Sequence, residues 1–316
     1  HRSVTIAAAD SPAWQKAMAD YVCDGTADNV QWQAAIDEAE TYPGGDAIGI
    51  PEILVLPGAY RFAAGIIQKS APIRGASLVN AGARVYWDGA SGSGTAITSS
   101  TNNSFNNISH INFRPGTAEP NIWIDLSGGN VDKFHELDHL HLIGGNVQIK
   151  VGHWINVHWT HLRFDHWHDY AVLLTPGSGQ NASSFIIEHF TCDHHPATGT
   201  GGRGFVGIDG TNAGAFVGSV KLANGRIEIN EPYLSHKAIF DLTVGATVRF
   251  VDVALENVTY SDATGATDDV AVYLTSGTAT NVIAMFDNFF PTNLSAYFGG
   301  NFRTSSVTPP IQNGGV

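Results

Sequence analysis

The feature that most constrains the fold is a six-residue pattern that keeps returning: apolar, any residue, a polar pivot, apolar, any residue, apolar. Its copies are Ile108-Ser-His110-Ile111-Asn-Phe113, Leu137-Asp-His139-Leu140-His-Leu142 and Trp159-Thr-His161-Leu162-Arg-Phe164. Further along come Ile187-Glu-His189-Phe190-Thr-Cys192, Leu222-Ala-Asn224-Gly225-Arg-Ile227 and Leu255-Glu-Asn257-Val258-Thr-Tyr260. Weaker copies flank the set at Gly75 and Asn288. Pivots therefore fall at 75, 110, 139, 161, 189, 224, 257 and 288, separated by 35, 29, 22, 28, 35, 33 and 31 residues. A repeat of about 30 residues is the size of one solenoid coil, which buries its apolar face only by stacking on neighbours.

A second strand lies between most pivots: Ile122–Leu126, Val147–Val151, Ala171–Leu174, Phe205–Ile208, Ala238–Leu242 and Val270–Leu274. No helical period interrupts them, which disfavours alternating strands and helices. A β-sandwich would show hairpin turns and no constant pivot. A parallel β-helix gives the pivot a purpose, because the chain must bend there between two strands and equivalent residues stack coil on coil. Asn suits a bend because it tolerates left-handed backbone and its amide can bond to the coils on either side. The histidine pivots 139, 161 and 189 are read the same way, as stacked structural rings.

Segment 1–62 differs in pattern. Asp28 with Gln31 predicts a capping box, and Val30 to Ala39 a short helix ended by Tyr42-Pro43-Gly44-Gly45. A solenoid end exposes its core, so a helix there serves as a cap. Residues 63–304 are the expected β-helix, and 305–316 an extended tail. A start at His1 rather than Met is expected of a chain that is processed, trimmed or incompletely known at this end, and it assigns no compartment. Of 316 residues 35 are Gly, which supplies the turns, and 43% are hydrophobic, too many for a disordered chain. No apolar run reaches the roughly 20 residues of a membrane helix, so no membrane insertion is expected. A net charge of −13 argues against nucleic acid as a partner. Cys23 and Cys192 form no metal or redox motif and read as free, buried thiols.

The run Asp24-Gly25-Thr26-Ala27-Asp28-Asn29, then Gln33-Ala34-Ala35-Ile36-Asp37, then Leu54-Val-Leu56-Pro57-Gly58-Ala-Tyr60, resembles the start of the pectate-lyase-like right-handed β-helix superfamily. This form of it is common in bacteriophage tailspikes and related virion proteins. The resemblance implies a right-handed single-stranded parallel β-helix of about eight to ten coils with an N-terminal capping helix. The superfamily holds depolymerases, receptor-binding spikes and inert structural proteins, so function must come from a site. The Gly-His-Gly and Asn-Thr-Asp motifs of polygalacturonase-like relatives are missing here, and Arg226-Ile227-Glu228 stands where they carry Arg-Ile-Lys.

If the pivots align, so do residues four positions beyond them. Asp165, Asp193 and Glu228 then form one column on consecutive coils, with His166 and His194 beside it. A carboxylate pair about 5 Å apart suits a retaining glycosidase, and a wider pair an inverting one. The same column could take Ca²⁺, or carry acids simply because strand ends face water. Eleven of the 14 histidines lie between His135 and His195, yet no strict ligand spacing occurs. No metal site is therefore expected, Asp165, Asp193 and His195 being the nearest to one. Trp154, Trp167 and Tyr170, with His168, are expected at exposed turns, where they would stack on sugar rings or pack against another subunit.

These features point to a virion-associated or extracellular structural and adhesion protein, a homotrimer that contacts host-surface or extracellular polysaccharide and other virion proteins, without a cofactor. The rival reading is a polysaccharide hydrolase or lyase using the carboxylate column. A third is a purely architectural virion component.

Overall fold

The computed structural model describes residues 3–42, 50–77, 82–100, 105–128, 134–179, 182–194, 203–214, 216–229, 237–245, 248, 250–262, 269–276, 282–292, 294 and 296–300. The expected tail 305–316 lies outside them. The chain is an all-β parallel β-helix with N-terminal helices, and it divides into compact units His1–Asn146 and Val147–Val316. Every strand pair within each unit is parallel, so each coil stacks on equivalent segments of its neighbours.

In the first unit each coil contributes to three ladders. One runs through Val4–Ala7, Ile53–Val55, Ile73–Gly75, Phe105–Ser109 and Phe134–Asp138. The second runs through Gly58–Phe62, Ala83–Trp87, Ile111–Pro115 and His141–Ile143. The third joins Ile66–Gln68, Thr95–Ser99 and Ile122–Leu126. Strands alternate buried and partly exposed residues, as in Ala83–Trp87, because successive side chains point to opposite faces. Val85, Phe113 and Leu142 face the interior in register, fully buried.

The N-terminal helix Asn29–Glu40 matches the expected one, but the capping box does not form: Asp28 makes no side-chain cap bond. Its carboxylate instead accepts from the backbone N–H of Gly25 and of Arg61, both at 2.7 Å, tying the turn before the helix to the coil beneath. Burial raises its pKa against the pull of those two donors. The helix closes the solenoid end in two ways. Trp32, Ala35, Ile36 and Ala39 are buried, with Trp32 edge-on to Tyr60 and Phe62 at 5.3 and 5.2 Å. Along a second stripe, polar side chains serve the uncovered backbone. Asn29 accepts from Ala63 N–H, Gln33 accepts from and donates to Ile67, and Glu40 accepts from Ser70 and Ala71. An open strand edge is a template for unwanted pairing, and this stripe answers it.

The second unit repeats the three-ladder plan. Ile155–Thr160, Ser183–Glu188, Phe216–Ile229, Phe250–Asp262 and Val282–Asp287 form one ladder. Arg163–Asp165 and Thr191–His194 continue onto the later halves of the two long strands and onto Phe290–Thr292. The third ladder holds Val147–Val151, Tyr170–Leu174, Gly204–Gly210, Lys237–Val244, Asp269–Ser276 and Ala296–Gly300. Its six strands give this unit about six turns, fewer than the eight to ten expected of the chain. The difference arises because the pivots at 75, 110 and 139 belong to the first unit.

The pivots are where the backbone turns. His110, His139, His161, His189, Asn224, Asn257 and Asn288 all have positive φ, between 48° and 60°. L-residues avoid this left-handed region at a cost of about 1–2 kcal/mol, so its recurrence at each bend marks a conformation that the stacked coils impose. The eighth pivot differs: Gly75 is not left-handed, and it is glycine because a Cβ would collide with the His110 carbonyl. A second bend column that the pattern did not reveal runs through Asn156, Ser184 and Ser219, at φ 53°, 54° and 48°.

Candidate functional site

The register of the second unit brings the predicted column together. Asp165 lies opposite Asp193, and Asp193 opposite Glu228, on adjacent strands. Two residues earlier, on the same face because side chains alternate, stand Arg163, Thr191 and Arg226 in a parallel row. Between these rows Phe164, Cys192 and Ile227 point into the core. The alternation of charged and apolar residues thus converts three unremarkable strands into an outward strip of acids and bases.

Arginines hold the two ends of the column. Arg163 Nε lies 3.2 and 3.0 Å from the two carboxylate oxygens of Asp165, and Arg226 pairs with Glu228 through Nη2. Exposure is graded: the Asp165 side chain is 7% accessible and that of Glu228 28%. Asp193 and Glu228 are therefore the adjacent pair that a solute can reach. Burial of Cys192 pushes its thiol pKa up, and the three surrounding carboxylates oppose a thiolate there.

The remaining predicted residues fall in different environments. His166 bends the chain after Asp165 with φ 59°. His194 ends the strand Thr191–His194, opposite Ile229, and His195 lies outside the described residues. His168 is half-buried. The expectation of exposed aromatic faces is corrected: Trp154, Trp167 and Tyr170 are 0%, 2% and 8% exposed. They are buried because this part of the solenoid has an aromatic core. Trp154 and Trp159 meet Phe185 edge-on, and Phe205 collects Phe164, Phe190 and Trp167 within 5.7 Å. Trp167 Nε1 also donates to the Gly204 carbonyl at 3.0 Å, which satisfies its one polar atom.

A buried polar cluster on the third ladder escaped the sequence reading. Tyr170 hydroxyl donates to Asp241 at 2.8 Å, and Thr275 hydroxyl bonds the other oxygen of that carboxylate. Tyr170 reaches across because glycines stand beside it; a Cβ on Gly207 would sit 2.7 Å from its ring. Burial pushes the Tyr170 phenol above its usual range, with Asp241 adding to the shift. Burial also raises Asp169, with Arg203 opposing. The available signal was a single acid, Asp241, inside the otherwise apolar run Ala238–Leu242, since a buried carboxylate must be satisfied.

The histidine and asparagine pivots complete the surface of the bends. His110 and His139 stack at 4.8 Å, and His161 and His189 at 5.4 Å. Asn288 donates to Asn257 at 3.0 Å, Asn257 to Asn224 at 3.1 Å, and Asn224 to Glu188 at 2.8 Å. Both thiols are free and buried, as expected. No described helix is long and apolar enough to cross a membrane.

No protein-family profile and no curated protein matches the chain. Among solved structures it is similar to ORF18 of Geobacillus virus E2, with a TM-score of 0.51 and 12% identity over 91% of this chain and 57% of that one. Weaker similarity extends to the alginate lyase of Paenibacillus sp. str. FPU-7, with a TM-score of 0.45 and 11% identity over 97% of this chain and 99% of that one. A third is tailspike gp49 of Acinetobacter baumannii bacteriophage Fri1, a capsular polysaccharide depolymerase, at 0.39 and 13% over 99% and 61%. At these identities the viral structure shares the fold, which is what the ladders establish independently. The chain spans little more than half of that protein.

Proposed function

We propose that this chain is a polysaccharide depolymerase acting outside the cell or on a virion, with Asp193 and Glu228 as its working carboxylates. The observation that carries the reading is the register that sets Asp193 directly opposite Glu228, beside the arginine-paired Asp165. Neighbouring strands are about 4.8 Å apart, close to the ~5–5.5 Å carboxyl separation of retaining glycosidases. In this scheme Glu228, held by Arg226, is the nucleophile or base. Asp193 exchanges the proton with the glycosidic oxygen, and Asp165 fixes Arg163 for sugar hydroxyls. His166 and His194, which follow Asp165 and Asp193 in the sequence, are candidates to assist, and Ca²⁺ is an alternative occupant of the acids. A homotrimer and contact with other virion proteins belong to the same proposal, suggested by the tailspike-like N-terminal motif.

The arginine pairs also favour a second reading, adhesion. Ion pairs that are already satisfied can bind hydroxyls without cutting. The two separate on one assay: the full chain is incubated with a panel of bacterial capsular and exopolysaccharides, and new reducing ends and unsaturated products are measured. Product that disappears in both Asp193→Asn and Glu228→Gln supports the depolymerase. Polysaccharide binding with no product refutes cleavage and leaves adhesion. Neither product nor binding sinks both and leaves an architectural role.

A further inference from the structure

The first unit contains a group that the proposed column does not use. His110 and His139 occupy equivalent bends on adjacent coils, and both are left-handed, so their rings project from the same point of the coil. The rings are nearly parallel, 11° apart, with centroids 4.8 Å apart. Between the coils, Ser109 pairs in register with Asp138, and His110 N–H donates to the Asp138 carbonyl at 3.1 Å. This backbone lock sets the Asp138 carboxylate beside the rings, where one oxygen lies 2.7 Å from His139 Nδ1. One donor atom from each of His110, Asp138 and His139 falls within 4.8 Å of the others.

A second observation points to a ligand. His110 Nδ1 is screened from solvent and has no hydrogen-bond partner among the described residues. Buried ring nitrogens normally find one. His139 and Asp138 remain 32% and 38% exposed, so a small solute can enter from their side. Arg74, whose charge acts on His110, is already held by both oxygens of Glu52, at 2.5 and 2.9 Å. Two imidazoles and one carboxylate are the donor set of borderline divalent metals. Bonds of about 2.0–2.1 Å to a tetrahedral ion bring its donors to about 3.3 Å from one another. Coordination would therefore draw the three donors closer together than their present spacing of up to 4.8 Å.

We propose that His110, Asp138 and His139 bind one divalent transition cation of the zinc type, with water in the fourth position. The ion bridges two consecutive coils and clamps the first unit at its bend. Pivot histidines then have two fates, stacking alone or stacking plus coordination, and the carboxylate preceding the second ring decides between them.

The test uses the full chain, stripped with chelator and titrated with Zn²⁺ by calorimetry and with Co²⁺ by visible absorption. One equivalent is expected, weakened tenfold or more in His110→Asn, His139→Asn and Asp138→Asn, and unchanged in His161→Asn and His189→Asn. Asparagine already occupies the same bend at 224, 257 and 288, so these variants retain a residue suited to the turn. Should a variant fail to fold, ring NMR of the unaltered protein decides: zinc must shift His110 and His139. Absence of binding, binding equally weakened by the second pair of variants, or shifts confined to other histidines overturns the proposal.

Discussion

Two pairs of stacked histidines mark the same kind of bend in the two units, and their surroundings differ. In the first unit the rings lie 4.8 Å apart and 11° from parallel, with a carboxylate on one ring and no hydrogen bond to Nδ1 of the other. In the second they lie 5.4 Å apart at 19°, and the equivalent acid, Glu188, is already engaged. Glu188 accepts from Asn224 at 2.8 Å, lies 3.0 Å from His158 Nε2, and is 3.7 Å from His189. From there the ladder continues as amides bonded rung to rung. The backbone chooses the bend, and the residues beside the pivot choose its chemistry. In one pair a ring nitrogen of His110 has no hydrogen-bond partner among the described residues, while in the other the neighbouring acid is engaged in a hydrogen-bonded chain.

The largest expected effect concerns the backbone itself. Asn257 has φ 51° and bonds to Asn224 and Asn288. Asn257→Val forces a β-branched residue into left-handed space, costing about 2–3 kcal/mol of stability once the lost bonds are included. Asn257→Gly keeps the conformation and loses only the bonds, about 1 kcal/mol. Urea unfolding of both variants separates the terms. Equal losses would mean that the amide chain, and not the bend, holds the second unit's pivots.

Next comes packing immediately after the pivot. The repeat pattern asks for an apolar residue at 225 and finds glycine, since the Phe190 ring of the preceding rung fills the place; a Cβ on Gly225 would lie 2.1 Å from it. Gly225→Leu, which restores the pattern, therefore overpacks the core and is expected to cost about 1–3 kcal/mol. Adding Phe190→Ala should return part of that loss, a coupling that a double-mutant cycle measures. Additive losses would show that the two residues do not compete for one volume.

A comparable stabilisation separates the two histidine pairs directly. At a hundredfold excess over its Kd, a bound cation stabilises the folded state by about 2.7 kcal/mol. Zinc should therefore raise the thermal midpoint of the parent chain and of His189→Asn by similar amounts, and that of His139→Asn hardly at all. A rise that survives in His139→Asn would place the ion elsewhere.

What the sequence disclosed, and what it hid, follows from the range of the forces involved. The bends were legible because a left-handed backbone admits few residues, so His and Asn recur at 110, 139, 161, 189, 224, 257 and 288. Counting four residues onward from them was enough to align Asp165, Asp193 and Glu228, because strand geometry carries register over such short distances. The burial of Trp154, Trp167 and Tyr170 was not legible. It depends on partners such as Phe185 and Gly207, 31 and 37 residues away on the next coil. The capping box failed for a related reason. Asp28 meets a backbone N–H of Arg61 that only the folded coil brings near, and this outcompetes the helix's own N-terminus. Ser184 and Ser219 show the limit of residue preference, since serine at a bend looks like serine in any turn.

The smallest expected effect is acidic. The hydrogen bond from Asn224, followed by that of His158, holds the Glu188 carboxyl below its ordinary value. A depressed folded pKa means that the unfolded chain binds the proton more readily, so stability rises with pH across the interval between the two values. The contribution is complete above the unfolded value of about 4.3 and is lost as pH falls through the folded one. Glu188→Gln removes it, so parent and variant should show parallel urea midpoints above about pH 5.5 and converge below about pH 4. Because the residue is partly exposed, the convergence should be slight and should shrink further in high salt. A gap that persists unchanged into acid would mean that Glu188 holds its rung through geometry alone. The second pair would then owe its difference from the first to the amide chain rather than to charge.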